Sequence, residues 1–377
     1  MVNRKRQHDG SVDWQSERSG AGAVVRDVPI VLALVGVVVA IAAHGPSHTF
    51  RFAQQWQVGA AIDALNSGRW LLPHNQQGEL FRKPQLYTWM LALCLKATGS
   101  YNDFVFRLPT IAAAMATALM VYALGRRWYC RRVGLLAACL WVTALHMSKL
   151  TYVALTDMLF AMWITLSVVC ADRLLFHPAP QKRRSFWAAG LWASIILGAI
   201  TKGWGVANLP IVVGFVAISA ILWPGFKLLR RARWPEEELG LVFRLITRRL
   251  WRAMKAVSFG WGMLAFAAVM APLWGAMWLV GGDDFRRLVH FEIWQRITGT
   301  GPSPPKPGSA PRITYLLYYQ LPASVFAIVS LLLVPLRRWF NRAGPVCLPL
   351  CWVLAVFLPY SIAHGFRPDY LLSLIHI

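Results

Sequence analysis

The sequence contains nine apolar stretches close to the length that a helix needs to cross a bilayer, about 20 residues. They are residues 28–44, 108–124, 133–150, 157–175, 186–201, 206–223, 257–280, 315–336 and 345–363, and a tenth stretch begins at Tyr370. Only 15% of the 377 residues are charged, whereas soluble domains carry about 25%. This pattern predicts an all-α polytopic integral membrane protein with about nine to ten transmembrane helices.

The distribution of charge predicts the orientation of these helices. The chain has 39 Lys and Arg against 16 Asp and Glu. With the N-terminus in the cytoplasm, the connections on that side contain 25 of these cations and the opposite connections 14, while the acids divide evenly. Cytoplasmic connections of membrane proteins are enriched in Lys and Arg. The excess charge therefore indicates orientation and not nucleic-acid binding, with a cytoplasmic basic tail at residues 1–27 and a transmembrane domain at 28–377.

Two predicted external connections, residues 45–107 and 281–314, are too long to be simple turns. The first contains a helix-like stretch at 54–65 and an apolar run at 86–97 that is too short to span a bilayer, so we expect interfacial helices there. The second ends in a Pro- and Gly-rich segment that cannot be regular helix. Long loops on a rigid scaffold commonly carry function.

Several ionisable residues fall on this external side, beside apolar helices. They are Arg82, Lys83, Arg107, Asp157, Lys202, Asp283, Asp284, Arg286 and Arg296. Cations at one membrane surface suit a lipid that carries a phosphate, and a carboxylate among them can act as a general base. The cations can equally snorkel to headgroups, and Asp157 can cap a helix. The spacing of the His and Cys residues matches no metal motif, and the Asp283-Asp284 pair fits a solvated loop turn better than a metal site. No metal site is therefore predicted, and the six cysteines are expected to be buried thiols.

Four stretches, together with a weaker fifth, resemble the membrane glycosyltransferases of family 39, which have the GT-C fold and are related to protein O-mannosyltransferases and to the lipid A aminoarabinose transferase. The motifs are SGRWLLPHNQQGELFRKPQLYTWMLALCLKATG (67–99), FRLPTIAAAMATALMVYALGRRWYCRRVGLLAA (106–138), LTDMLF (155–160), ITKG (200–203) and, more weakly, GGDDFRRLVHFEIWQRITG (281–299). They occur in the family's order, and the interval from the first to the last, residues 67–299, takes in most of the chain.

The resemblance implies transfer of a sugar from a polyprenyl-phosphate carrier to a lipid, glycan or protein acceptor. The reaction would take place at the external face of the bacterial inner membrane. It implies a lipid-phosphate-binding role for Lys83 and Arg296, and Asp157, our candidate catalytic residue, matches the acidic residue in the family's second external connection. Arg107 and Lys202 match positions near the family's active cavity. The cofactor implied is the polyprenyl-phosphate-linked sugar itself, with a divalent metal left open.

This chain departs from the family at two places in the first external connection. Ala53 and Gln54 stand where relatives carry an Asp-Glu pair, and Arg82 and Gln85 replace the outer residues of the family's Glu-Lys-Pro-Pro. We expect Arg82 to supply positive charge for the phosphate, in place of a carboxylate associated with metal in some relatives.

Three explanations of the missing acid pair stay open. Asp157 can serve as the base, another acid of the first connection (Asp63 or Glu79) can do so, or the protein binds the lipid carrier without catalysis. Transport of a small anion is a further hypothesis for the function, although no internal repeat supports it. Residues 367–372 begin a family-like segment from which 373–377 depart, so the sequence is expected to be truncated relative to the family.

Overall fold

The computed structural model describes residues 21–44, 52–176, 180–202, 208–229 and 237–291, and separate short pieces at 318, 321–322, 324–326, 328–329, 348–349 and 351–355. Within these ranges the backbone forms eleven helices. They are α1 (Ala21–His44), α2 (Phe52–Ser67), α3 (Leu86–Thr98), α4 (Asp103–Trp128), α5 (Arg131–Thr143), α6 (Leu145–Leu150), α7 (Thr156–Leu175), α8 (Gln181–Thr201), α9 (Asn208–Leu229), α10 (Glu237–Ala256) and α11 (Phe259–Val289).

Five helices among the described residues are long and apolar enough to cross a membrane. They are Val24–His44 of α1, and α4, α7, Lys182–Thr201 of α8, and α11. Helix α9 contains a shorter apolar segment, Leu209–Ser219. The predicted all-α, multi-span fold is confirmed. The spans predicted at 315–336 and 345–363 and from residue 370 onward lie largely outside the described residues.

The single span predicted at 133–150 is wrong, because two helices occupy it. Helix α5 has 13 residues and ends at Thr143, because the next residue, Ala144, has a ψ of 133°, which is extended and not helical. The next backbone N–H, that of Leu145, donates to the carbonyl of Leu321 at 2.8 Å instead of continuing the helix. A helix of 13 residues is about 20 Å long, which is shorter than the hydrocarbon core of a bilayer.

The first long connection, predicted at residues 45–107, contains two helices, as predicted. Helices α2 and α3 pack on one another, and α3 packs on α4. Helix α3 ends at Gly99, which adopts a left-handed φ of 63° and donates its N–H to the carbonyl of Leu95. Because glycine has no Cβ, it adopts this conformation without strain.

Helix α4 is the centre of the bundle and packs against α1, α3, α5 and α7. Its contact with α5 depends on small residues. A Cβ on Gly134 would lie 2.7 Å from the backbone nitrogen of Arg126 and 2.7 Å from the carbonyl oxygen of Tyr122. Glycine at this position therefore allows the two helix backbones to approach closely, as in other membrane helix pairs.

Two buried carboxylates fix the end of the bundle where α4 meets α5. Asp27 of α1 is fully buried and accepts hydrogen bonds from the Tyr122 hydroxyl at 2.6 Å and from two nitrogens of Arg131 at 2.6 and 2.8 Å. Asp172 of α7 accepts from the indole N–H of Trp128 at 2.8 Å and pairs with Arg127 at 2.7 Å. A buried charge is tolerated when it is paired and hydrogen-bonded in this way.

We expect Asp27→Ala to lower the free energy of unfolding by about 2 kcal/mol, because Arg131 and Tyr122 both lose a charged acceptor. Tyr122→Phe removes one of the three hydrogen bonds and should cost about half as much. Thermal unfolding of the detergent-solubilised protein measures both variants. An Asp27→Ala protein that unfolds at the wild-type temperature would contradict this account.

Candidate functional site

A cavity of about 1240 Å³ lies between the first long connection and the distal end of α11. One wall comes from the segment between α2 and α3, and the other from the residues that follow Leu279 in α11. The lining residues are Gly68, Arg69, Trp70, Leu71, Leu72, His74, Gly78, Glu79, Leu80, Arg82, Val280, Gly281, Asp284, Arg286, Arg287, Leu288, His290 and Phe291. The two connections that the sequence marked as too long to be turns therefore meet at one site.

Asp63, near the end of α2, fixes the segment after α2 that forms the first part of this wall. One carboxylate oxygen accepts from the guanidinium of Arg69 at 2.5 Å and the other from the backbone N–H of His74 at 2.8 Å. Burial favours the neutral acid, but these hydrogen bonds outweigh it and hold the pKa of Asp63 below its ordinary value of 3.8. Both oxygens are therefore occupied by the loop that Asp63 shapes.

A tight turn after His74 presents Glu79 to the cavity. The side-chain oxygen of Asn75 accepts from the backbone N–H groups of Gln77 and Glu79, at 2.9 and 3.0 Å. Gly78, with a φ of 77°, closes the turn. The Glu79 side chain is 52% exposed and lies 3.8 Å from Arg82.

The opposite wall depends on a break in α11 at Gly282, where φ is 50° and ψ is −128°. Beyond this break Phe285 and Leu288 are buried against Leu72 and Met277. Arg286, Arg287 and His290, on the same short segment as Phe285, are exposed and line the cavity. The alternation of apolar and cationic residues thus gives this short segment one anchored face and one exposed face.

Arg82 connects the two walls. Its guanidinium carbon lies 5.7 Å from the ring centroid of Trp56 in α2 and 5.0 Å from that of Phe291 after α11. Both distances fit cation–π contacts. Its side chain is 39% exposed, so a ligand in the cavity can reach the guanidinium.

The cavity wall carries four arginines against two carboxylates, Glu79 and Asp284. Planar guanidinium groups bind phosphate oxygens in pairs, so this lining suits a phosphate or pyrophosphate. Within the described part of the chain, no group of three or more His, Cys, Asp or Glu side chains is arranged to hold a metal ion.

Asp157 and Lys202, two of the residues predicted for the site, form an ion pair. Asp157 lies in the first turn of α7 and Lys202 directly follows α8, and each side chain is 14% exposed. Lys202 also lies 6.0 Å from the ring centroid of Phe160. The structure thus joins two motifs that are 45 residues apart in the sequence.

Apolar packing brings the start of α3 close to this pair. Leu86 and Trp89 pack against the buried Ile200, which is two residues before Lys202. Lys83 lies three residues before Leu86, and its carbonyl accepts from the side chain of the buried Gln85 at 3.0 Å. The Arg82–Lys83 segment, the end of α8 and the start of α7 therefore share one end of the bundle, although Lys83, Asp157 and Lys202 do not line the cavity described above.

Arg107 has a different environment from that expected of a phosphate ligand. Its side chain is 1% exposed and donates to the carbonyls of Tyr152 at 3.0 Å and Asp103 at 2.6 Å. The guanidinium carbon also lies 4.4 Å from the Tyr152 ring centroid. Arg107 therefore holds the segment that precedes α7, and it is not among the residues that line the cavity described above.

Gln54 supports the same segment from the other side. It stands at one of the two positions where the resembled family has its acid pair, and it is 2% exposed. Its side-chain oxygen accepts from the backbone N–H of Ala154 at 3.3 Å. Thr110 adds a hydrogen bond to the carbonyl of Val153 at 2.9 Å.

Of the remaining predicted residues, Arg296 lies outside the described residues. The sequence did not single out Arg69, Arg287, His74 or His290 as site residues. Their one signal was position, since all four lie in the two long connections.

We expect the stability contributed by Asp63 to depend on pH. Because its pKa is lower in the folded protein, the ionised carboxylate stabilises the fold above pH 3.8, and this contribution is lost as the pH falls through the lower, folded-state pKa. Asp63→Asn should therefore unfold at a lower temperature than wild type at pH 7, with the difference shrinking below about pH 4. Thermal unfolding at both pH values measures this, and Asp283→Asn, at an 80% exposed side chain, is the control. A gap that stays constant down to pH 3 would contradict the assignment.

Comparison with known proteins gives matches along most of the chain. Residues 82–234 match the family described as dolichyl-phosphate-mannose-protein mannosyltransferase. The undecaprenyl phosphate-alpha-4-amino-4-deoxy-L-arabinose arabinosyl transferase 2 of Proteus mirabilis is 24% identical over 313 residues, which are 81% of this chain and 50% of that protein. The corresponding transferase of Pseudomonas aeruginosa UCBPP-PA14 is 26% identical over 317 residues, with 82% and 50% covered. The chain thus spans about half the length of the curated relatives it matches.

Solved structures share the fold. ArnT from Cupriavidus metallidurans bound to undecaprenyl phosphate superposes with a TM-score of 0.69 at 17% identity, covering 95% of this chain and 59% of that one. The oligosaccharyltransferase AglB from Archaeoglobus fulgidus, in complex with an inhibitory peptide and a dolichol-phosphate, gives a TM-score of 0.55 at 12% identity, with 94% and 49% covered. The chain is therefore a multi-pass membrane protein with the GT-C fold, related to the undecaprenyl-phosphate aminoarabinose transferases and to the protein O-mannosyltransferases.

Proposed function

We propose that this protein is a membrane glycosyltransferase that moves a sugar from a polyprenyl-phosphate carrier to a lipid, glycan or protein acceptor. The active face is external, on the bacterial inner membrane, with the N-terminus in the cytoplasm. The observation that carries the proposal is the arginine-lined cavity where the two external connections meet. The names of the curated relatives, which describe undecaprenyl-phosphate-dependent transferases, support it.

The carrier phosphate binds Arg82 and Lys83, with Arg296 and Lys202 contributing further positive charge. Arg82 already faces the cavity, and its neighbours there include Arg69, Arg286 and Arg287. Fixed cations stabilise a phosphate leaving group because its charge grows as the bond to the sugar breaks. Arg107 has no direct contact with the carrier in this proposal and positions the segment before Asp157.

The donor set of the cavity does not fit a divalent metal. At the position where relatives carry a carboxylate associated with metal, this chain has Arg82, and among the described lining residues Glu79 and Asp284 are outnumbered by arginines. Hard divalent cations require several oxygen ligands and are repelled by adjacent guanidinium groups. No step of the proposed reaction therefore depends on a metal.

Asp157 acts as the base when the acceptor is a hydroxyl. The acceptor oxygen forms a bond to the anomeric carbon of the sugar, and the bond from that carbon to the phosphate oxygen breaks. The polyprenyl phosphate leaves with the electron pair, and the hydroxyl proton passes to the carboxylate. The ion pair with Lys202 holds the carboxylate of Asp157 in place at the start of α7.

Gln54 favours a second candidate, a lipid-carrier-binding protein without turnover. An amide has no useful basicity, and this one is buried and bound to the Ala154 N–H. Carrier binding without sugar transfer to any acceptor class would support this second function.

We expect Lys83→Ala and Arg82→Ala each to reduce sugar transfer by about 100-fold, the usual effect of removing one group that stabilises developing negative charge. Transfer of labelled sugar from the lipid carrier in membranes containing the protein measures this. Lys96→Ala, at an exposed lysine near the other end of α3, is the matched control and should transfer sugar normally. Wild-type rates in both the Lys83→Ala and the Arg82→Ala variants would remove the phosphate site from the proposal.

Asp157→Asn and Glu79→Gln separate the two carboxylates that can act as the base. We expect Asp157→Asn to lose at least about 100-fold in turnover with carrier binding retained, and Glu79→Gln to stay within a few-fold of wild type. The reverse pattern would assign the base to Glu79. Full activity in both variants would show that neither carboxylate takes the proton.

A further inference from the structure

Helix α10 combines an exposed apolar edge with a row of cations. Its apolar positions Phe243, Ile246, Leu250, Ala253 and Met254 recur at the three- and four-residue spacing that places them on one side of a helix. Ala253 is buried in the bundle, whereas Phe243 is 70% exposed. Part of the apolar side of α10 is therefore not covered by the described protein.

The five cations of α10 are all exposed. They are Arg244, Arg248, Arg249, Arg252 and Lys255. Across the described residues, no ion pair joins any of them to an acid. Cations in the last turn complement the helix dipole, but this does not account for Arg244 and Arg248, which lie further from the C-terminus. An anionic surface outside the described residues would complement this row of cations.

Trp251 lies where the apolar edge meets the cations. It is 63% exposed, and the Lys255 ammonium lies 5.3 Å from its ring centroid. Tryptophan and lysine are typical of the boundary between acyl chains and headgroups, because each has an apolar body and a polar end.

Helix α10 lies at the opposite end of α11 from the cavity. Ala253 packs in the same buried cluster as Trp128 at the end of α4, and the indole of Trp192 donates to the carbonyl of Val257 at 2.8 Å, which fixes the turn into α11. From Phe259 to Gly281 α11 rises about 33 Å, close to the hydrocarbon thickness of a bilayer. The cavity and α10 therefore occupy opposite membrane surfaces.

We propose that α10 is a membrane-surface helix that binds the headgroups of anionic phospholipids in the leaflet opposite the cavity. Five cationic side chains exclude a transmembrane position, and the exposed Phe243 and Trp251 disfavour a helix surrounded by water. A surface position satisfies both requirements, since the aromatic side chains enter the acyl boundary while the cations meet lipid phosphates. This inference does not depend on sugar transfer.

The test measures thermal unfolding of the purified full chain in neutral detergent, with added phosphatidylglycerol or phosphatidylcholine. We expect phosphatidylglycerol to raise the unfolding temperature of the wild type by several degrees more than phosphatidylcholine. The quadruple variant R244Q/R248Q/R249Q/R252Q should lose this difference, and the charge-conserving R244K/R248K/R249K/R252K should keep it. If the glutamine variant keeps the full difference, the proposal is overturned.

A matched control tests whether position on α10 matters or only total charge. K182Q/R183Q/R184Q removes three exposed cations at the start of α8 and should leave the phosphatidylglycerol effect intact. An equal loss in this control would overturn the assignment to α10.

A photo-crosslinker in place of Trp251 gives an independent readout in phosphatidylglycerol vesicles, even where the charge variants fail to fold. Crosslinks to lipid acyl chains support the surface position. Crosslinks to a second copy of the chain, with none to lipid, would overturn it.

Discussion

The attachment of α4 to α7 at both of their ends determines where the candidate site lies. At one end Arg107 and Thr110 bind the backbone carbonyls of Tyr152 and Val153, just before α7 begins. At the other end Arg127 and Trp128 bind Asp172 near the end of α7. A membrane offers no water to satisfy buried carbonyls or carboxylates, so these donors must come from protein. With α7 fixed twice, the position of its first turn is set relative to the neighbouring helices.

Hydropathy alone predicted most of the spans, because a bilayer requires long apolar helices whatever else the chain does. The prediction of a single span failed at Ala144. The next N–H, that of Leu145, donates to the carbonyl of Leu321, which is 176 positions away and which no local pattern reveals. Hydropathy also missed α10, since a helix rich in arginine has no apolar run. The amphipathic period of that segment was present in the sequence but hidden by its charge.

The site was predictable in its residue types and less so in its contacts. Asp157 and Lys202 were found separately, from charge beside apolar helices, whereas their pairing depends on how α7 and α8 pack. Arg107 has the same local signature as a ligand-binding cation, yet its burial against Tyr152 gives it a supporting role. Arg69 carried no signal beyond its position in a long connection, because its place in the cavity wall follows from its contact with Asp63.

The position of Arg82 between two aromatic rings explains why a lysine would not be equivalent there. A guanidinium is flat: its two faces can stack on rings while the N–H groups around its edge remain directed outward. Trp56 and Phe291 lie within cation–π distance of that one group. An incoming anion can therefore bind along the edge of the guanidinium without displacing either ring. Arg82 can thus keep contacting both Trp56 and Phe291, which are far apart in the sequence, while an anion occupies the cavity.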